Sequence, residues 1–196
     1  MPTYFKERLR TTKKINTMNR FEEMEIRDIV EIYTAEVSTN HYRDGSGISG
    51  YAVLLIYNGH RKQISQSFQQ STNNRMHMIA CIDALKTLRR PCSIKMYLTS
   101  EYIVNSINRN WISEWKKRGW RNKEGDKIQN VDLWTQLIDL LAEQNDVQFI
   151  WIKSRDNNPN IELCKKIANT VIRDNNPIVD NGYLLNEKTE NLRTLF

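Results

Sequence analysis

From position 29 onward the chain switches repeatedly between two periodicities. Ile29 to Thr34 (IVEIYT) is rich in β-branched and aromatic residues, and Tyr51 to Tyr57 (YAVLLIY) is strongly apolar; both read as strands. Asn58-Gly59 follows, two residues that tolerate positive φ, so Lys62 to Phe68 is expected to return as an antiparallel third strand. Ser71 to Leu88 carries an apolar stripe at helical spacing (Met76, Ile79, Ala80, Ile82, Ala84, Leu85) and is stopped by Pro91. Ser93 to Thr99 alternates as a strand, with Ile94, Met96 and Leu98 facing inward. Helices are expected over Ser100 to Asn108, Val131 to Glu143 and Pro159 to Arg173, the last with proline in its first turn, and a strand over Val147 to Ile152. The order βββ-α-β-α-α-β-α predicts an α/β fold with a mixed sheet flanked by helices.

Composition narrows the picture. With 196 residues, the chain suits one compact domain with extensions. Residues 1–27 read as a basic N-terminal arm, with a short helix near Arg20 to Met24, and residues 184–196 as a tail. No run of eighteen apolar residues occurs, so no membrane-spanning helix is expected. Met1 to Lys14 lacks an apolar stretch, so no secretory signal is expected either. Cys81, Cys92 and Cys164 are far apart, which argues against a disulfide framework or a zinc finger and for a reducing, intracellular setting, cytoplasmic or nuclear. Heavy use of Asn, Ile and Lys hints at an AT-rich genome and admits a viral or virion-associated origin.

The net charge of +6 is unevenly placed. Residues 1–20 and 109–123 each carry +5, leaving about −4 on the remainder. Two basic patches on a near-neutral body suggest a polyanionic partner; the plainer alternative is a solvated arm and a solvated helix face.

Specific strings stand in a fixed order along this pattern. Ile32-Tyr33-Thr34 ends the first strand, and Ser71-Thr72-Asn73-Asn74-Arg75-Met76 opens the first helix. Tyr97-Leu98-Thr99 ends the fourth strand, and Trp111-Ile112-Ser113-Glu114-Trp115-Lys116-Lys117-Arg118-Gly119-Trp120 follows. Asn130-Val131-Asp132-Leu133-Trp134 and Trp151-Ile152-Lys153 complete the series. From 28 to 183 the chain resembles ribonuclease H type 1, which cuts the RNA strand of RNA–DNA hybrids. The resemblance implies a ribonuclease H-like, five-stranded mixed sheet, three antiparallel strands then two parallel, flanked by helices. It also implies two magnesium ions on the scissile phosphate, held by carboxylates from four places, and a mobile histidine that assists product departure.

At the matching positions this chain has other residues. Ala35, His77, Ser100 and Lys165 stand where the four carboxylates are expected, and Arg155 stands at the histidine position. Among neighbouring acids, strand alternation should turn Glu36 away from the pocket, and Glu101 suits a helix N-terminus. The expectation is therefore that the chain is not an enzyme, holds no metal and needs no cofactor, magnesium being lost. Lys165, with Arg155, could hold a phosphate directly, or Lys165 could simply pair with Glu162.

The residues that the resemblance implies for nucleic-acid contact are kept better: Thr72, Asn73, Asn74, Trp111, Lys116, Lys117, Arg118 and Asn130. Thr72 or Asn73 could equally cap the helix. The expected function is non-cleaving binding of duplex nucleic acid, RNA–DNA hybrid or double-stranded RNA. The alternatives are a structural subunit of a ribonucleoprotein or virion, and an active hybrid nuclease with relocated metal ligands. Protein partners would use residues 1–27 and 184–196; no membrane partner is expected.

Overall fold

The computed structural model describes residues 29–39, 47–174 and 176–185. The expected arm at 1–27, much of the loop after Ser38 and most of the tail lie outside these. Three long strands come first: β1 (Ile29–Ser38), β2 (Ile48–Tyr57) and β3 (His60–Gln69), paired antiparallel in sequence. Asn58 and Gly59 join β2 to β3 with φ of 47° and 79°, the left-handed conformations that this turn requires. Helix α1 (Asn73–Lys86) crosses back, and β4 (Ser93–Leu98) lies parallel to β1. Two short helices, α2 (Glu101–Asn108) and α3 (Trp111–Lys117), precede α4 (Val131–Ala142). Strand β5 (Asp146–Trp151) adds parallel to β4, and α5 (Pro159–Asp174) returns over the sheet.

The sheet has six strands rather than five. A two-residue strand, β6 (Ile178–Val179), pairs parallel with β3 and completes the order β5-β4-β1-β2-β3-β6. Two residues cannot display a period, so nothing in the local pattern announces β6. The helical turn at 181–185 follows it.

Because β1 is central, alternate residues feed two cores. Val30 and Ile32 join the larger core with α1, Trp115 and Trp134. Tyr33 and Ala35 face the other way and pack with Ile161, Cys164 and Ala168 of α5. Gly50 of β2 lets α5 approach this face: a Cβ there would sit 2.8 Å from Ile172 Cγ1.

A buried cation ties the first turn of α1 to the C-terminal segment. Arg75 is 1% exposed. Its Nε donates to Asp180 Oδ2 at 2.7 Å and its Nη2 to Asp180 Oδ1 at 2.9 Å. The same guanidinium donates to both oxygens of Asp132, at 3.1 and 3.0 Å, and to Asn130 Oδ1 at 3.3 Å. Ser71 Oγ donates to Asp180 at 2.6 Å, and the Tyr183 amide at 3.1 Å. Gly182 is required beside this cluster, because a Cβ would run into the guanidinium and the Asp132 carboxylate. Burial by itself would raise the Asp180 pKa; Arg75 and Ser71 outweigh it and hold the carboxyl below its ordinary 3.8.

Removing Arg75 strands a buried carboxylate. Arg75→Ala should cost about 3–5 kcal/mol in urea unfolding, since breaking one side of a buried pair leaves the other charge uncompensated. The depressed Asp180 pKa contributes stability that is present above 3.8 and lost as the pH falls through the lower folded value. Thermal melts across acid pH should show this loss in the native chain and a flatter profile in Asp180→Asn.

Candidate nucleic-acid interface

The edge of the fold that carries Thr72, Asn73 and Asn74 is built by three chain segments. Thr72 is the N-cap of α1 and accepts from the Arg75 amide at 3.4 Å. Thr72 and Asn74 stay exposed while Asn73 is half-buried, accepting from Ser38 Oγ at 2.6 Å. Capping and an outward-facing hydroxyl therefore coexist at Thr72, whereas Asn73 spends its side chain on β1. Asn130 caps the start of α4 in the left-handed conformation, φ 60°, which asparagine tolerates and bulkier residues resist. Its carbonyl oxygen accepts from Arg75, so the buried cation sets the spacing between Asn130 and the α1 turn.

Between them lies a cavity of about 450 Å³, lined by Thr72, Asn74, Tyr102, Trp115, Lys127 and Asn130 among others. Three of the expected contact residues thus converge on one site. Tyr102 also lines it, as do Asn122, Lys127 and Gln129, the last three not among the expected residues. Tyr102 stacks against Trp115, ring centroids 6.2 Å apart, and meets the edge of Trp134 at 6.1 Å. Residues 121–127 fold back as a small loop, with Arg121 bridging to Lys127 and Gly125 at φ 93°. The Gly in Lys123-Glu124-Gly125-Asp126 was the available signal for that turn.

The basic protrusion is α3. Trp115 is buried and Trp134 fully so, as expected for packing residues. Trp111 is half-buried against Trp115, at 6.3 Å, and Arg109 lies over its ring at 5.9 Å. Lys116, Lys117 and Arg118 are all exposed but differ in their partners. Glu114 accepts from Lys117 Nζ at 2.9 Å and from Arg118 Nη2 at 3.2 Å. Lys117 and, behind it, Arg118 hold the Glu114 carboxyl below its usual range. Lys116 makes no ion pair among the described residues.

The positions expected to hold carboxylates lie next to this face. Ala35 is buried against α5. Ser100 caps α2, its hydroxyl accepting from the Ile103 amide at 3.4 Å, and Glu101 is exposed on the first turn. Lys165 donates to Glu162 at 2.8 Å, so of the two readings for this lysine the ion pair is the one formed. Arg155 is exposed in the turn before α5. Cys164, next in the chain, is fully buried, and burial pushes its thiol up to about 12, so it stays protonated. Alternation turns Glu36 to the face opposite Ala35, as expected, but there it meets His77: Oε1 lies 3.3 Å from Nε2. The other imidazole nitrogen, Nδ1, is buried with no partner among the described residues.

Two magnesium ions need several hard oxygen ligands. A methyl, an imidazole, a capping hydroxyl and an ion-paired ammonium do not supply them, so these four positions do not fit the metal pair. No step of hydrolysis is derived through it.

A mixed sheet of this order, bearing a basic helical protrusion beside a polar cavity, defines a ribonuclease H-like protein. The sequence profile of the RNase H family matches residues 29–173. Ribonuclease H of Tolumonas auensis is 37% identical over 147 residues, 72% of this chain and 94% of that protein. Ribonuclease H of Psychromonas ingrahamii is 39% identical over 147 residues, covering 72% and 95%. The fold is similar to that of LC9-RNase H1, a type 1 RNase H with the type 2 active-site motif, with a TM-score of 0.66, 26% identity and coverage of 80% and 79%. It is also similar to LC11-RNase H1, solved in complex with an RNA/DNA hybrid, with a TM-score of 0.53, 18% identity and coverage of 73% and 99%. The chain belongs to the ribonuclease H family.

These relatives correct one expectation. The residues at the five family positions led to a non-enzyme, but proteins 37–39% identical over most of the chain are named Ribonuclease H and point to an enzyme.

Glu114 ion-pairs with two of the three cations at the end of α3. Glu114→Gln should release Lys117 and Arg118 and tighten binding of a hybrid duplex by about two- to fivefold at low salt, the gain fading as salt rises. Fluorescence anisotropy over a salt series checks this. The donor set also predicts no tight two-site isotherm when the native chain is titrated with Mn²⁺ by calorimetry. One should emerge when Ala35→Asp, His77→Glu, Ser100→Asp and Lys165→Asp are combined.

Proposed function

We propose that the chain recognises duplex nucleic acid of A-like form, an RNA–DNA hybrid or double-stranded RNA. The contact surface is the first turn of α1, the cavity behind it and the α3 protrusion. The observation that carries the reading is the convergence of Thr72, Asn74 and Asn130 with Tyr102, Trp115 and Lys127 around one cavity, flanked by the exposed Lys116. Hydroxyl and amide groups offer neutral donors and acceptors for phosphate and sugar oxygens, including a 2′-hydroxyl. The half-exposed Tyr102 ring offers a flat face to a sugar or base. Lysine and arginine on α3 neutralise a neighbouring backbone and make the affinity depend on salt.

Several features support this reading. The charge on residues 109–123 is +5, and a curated Ribonuclease H is 37% identical over 147 residues of the chain. The LC11 protein, of similar fold, binds a hybrid in its own structure. No magnesium, other metal or cofactor enters the recognition itself.

The test is a gel shift with an end-labelled hybrid over 50–300 mM salt, roughly the range in which phosphate contacts dominate. The same gels, run with and without Mg²⁺, read cleavage of the RNA strand and separate recognition from hydrolysis. Binding should weaken steeply with salt. In a Lys116→Ala/Lys117→Ala/Arg118→Ala variant the log–log slope should fall by about 2–3. Absence of any shift at low salt would overturn the proposal.

A further inference from the structure

A second groove, at the other end of the strands, lies away from the candidate nucleic-acid face. It has a volume of about 950 Å³ and sits where β1 begins, β2 ends, β3 begins and α1 ends. Its apolar wall includes Val30, Leu55 and Leu88. Its rim carries Arg61, Lys62, Arg89 and Arg90, all exposed, with His60 beside them and no acidic residue in the lining. Arg90 donates to the Tyr57 hydroxyl at 3.4 Å. None of the four cations makes an ion pair among the described residues.

A groove of this kind selects a partner with two properties at once: apolar side chains for the wall and carboxylates for the rim. A nucleic-acid strand brings the charge without the aliphatic anchor. The chain itself contains a segment with both. Phe21-Glu22-Glu23-Met24-Glu25-Ile26-Arg27-Asp28 carries a net charge of −3 and three large apolar residues. It ends one residue before β1 begins at Ile29, and the second residue of β1, Val30, is part of the groove wall. Five residues separate Met24 from Val30, so the six steps between them reach up to about 20 Å. Residues 1–20, at +5, have the same sign as the rim and are repelled by it, so the match belongs to the acidic segment alone.

We propose that residues 21–26 occupy this groove in the same chain, their apolar side chains against Val30, Leu55 and Leu88 and their glutamates against the four rim cations. The basic stretch ahead of them would then start from a fixed point at the end of the sheet remote from the α3 protrusion. This inference does not depend on the proposed nucleic-acid binding.

The test is competition by a fluorescein-labelled peptide of residues 19–28, followed by anisotropy on the full chain. In the native chain the groove is filled, so the peptide should bind weakly. A full chain carrying Phe21→Ser, Glu22→Lys, Glu23→Lys and Met24→Ser has an emptied groove and should bind the peptide at least about tenfold more tightly. Adding Arg89→Glu and Arg90→Glu, both at exposed positions that leave the core untouched, should abolish that gain. Equal binding to the native and emptied chains would show a groove open to a partner in trans and overturn the proposal. Failure of the emptied chain to bind the peptide at all, with its melting curve still cooperative, would overturn it as well.

Discussion

The geometry of the nucleic-acid face depends on a guanidinium that water does not reach. Arg75 is buried in the first turn of α1, and its charge is tolerable because Asp180, Asp132 and Asn130 accept its hydrogen bonds. Three segments that are distant in sequence therefore share one centre: the Thr72 turn, the start of α4, and the segment that runs from β6 into the helical turn at 181–185. The planar fork of arginine suits this task and a lysine ammonium would not, because two carboxylates and an amide must be met in one plane. Asn130 belongs to the same network, so the cavity wall and the buried cation form one rigid piece.

Local pattern exposed most of the architecture. The Asn58-Gly59 turn, the apolar run of β2 and the stripe of α1 each state their own conformation over a few residues, and the structure follows them. The candidate contact residues were legible as strings, and Thr72, Asn74 and Asn130 do line one cavity. Features made by distant parts of the chain were not legible. Arg75 was visible only as a letter in Asn73-Asn74-Arg75-Met76, because its acidic partners lie 57 and 105 residues away. Strand β6 was missed because its pairing with β3, rather than its own sequence, makes it a strand. Tyr102 and Lys127 reach the cavity through the packing of α2 and the fold-back after α3, neither of which has a period.

A set of local bonds ties the residues around the start of α1 to their neighbours. Glu36 meets His77, Ser38 links Ser49 to Asn73, Ser100 caps α2, and Lys165 pairs with Glu162. Glu36, Ser38, Asn73 and His77 form a polar seam between β1 and α1, with Asn73 and His77 one helical turn apart. The seam fastens the helix that carries the nucleic-acid turn to the central strand. His77 and Asn73, one turn apart on α1, are thus both fastened to β1 through side chains.

The margin of the sheet carries a consequence for the chain in a crowded solution. Strand β6 covers only Phe68 and Gln69, so among the described residues the rest of β3 has no strand partner on its outer side. Such an edge invites a second molecule to add a strand and begin an aggregate. The exposed stretch opens with His60, Arg61, Lys62 and Gln63, and charged or polar side chains at a sheet edge disfavour strand addition by a second molecule.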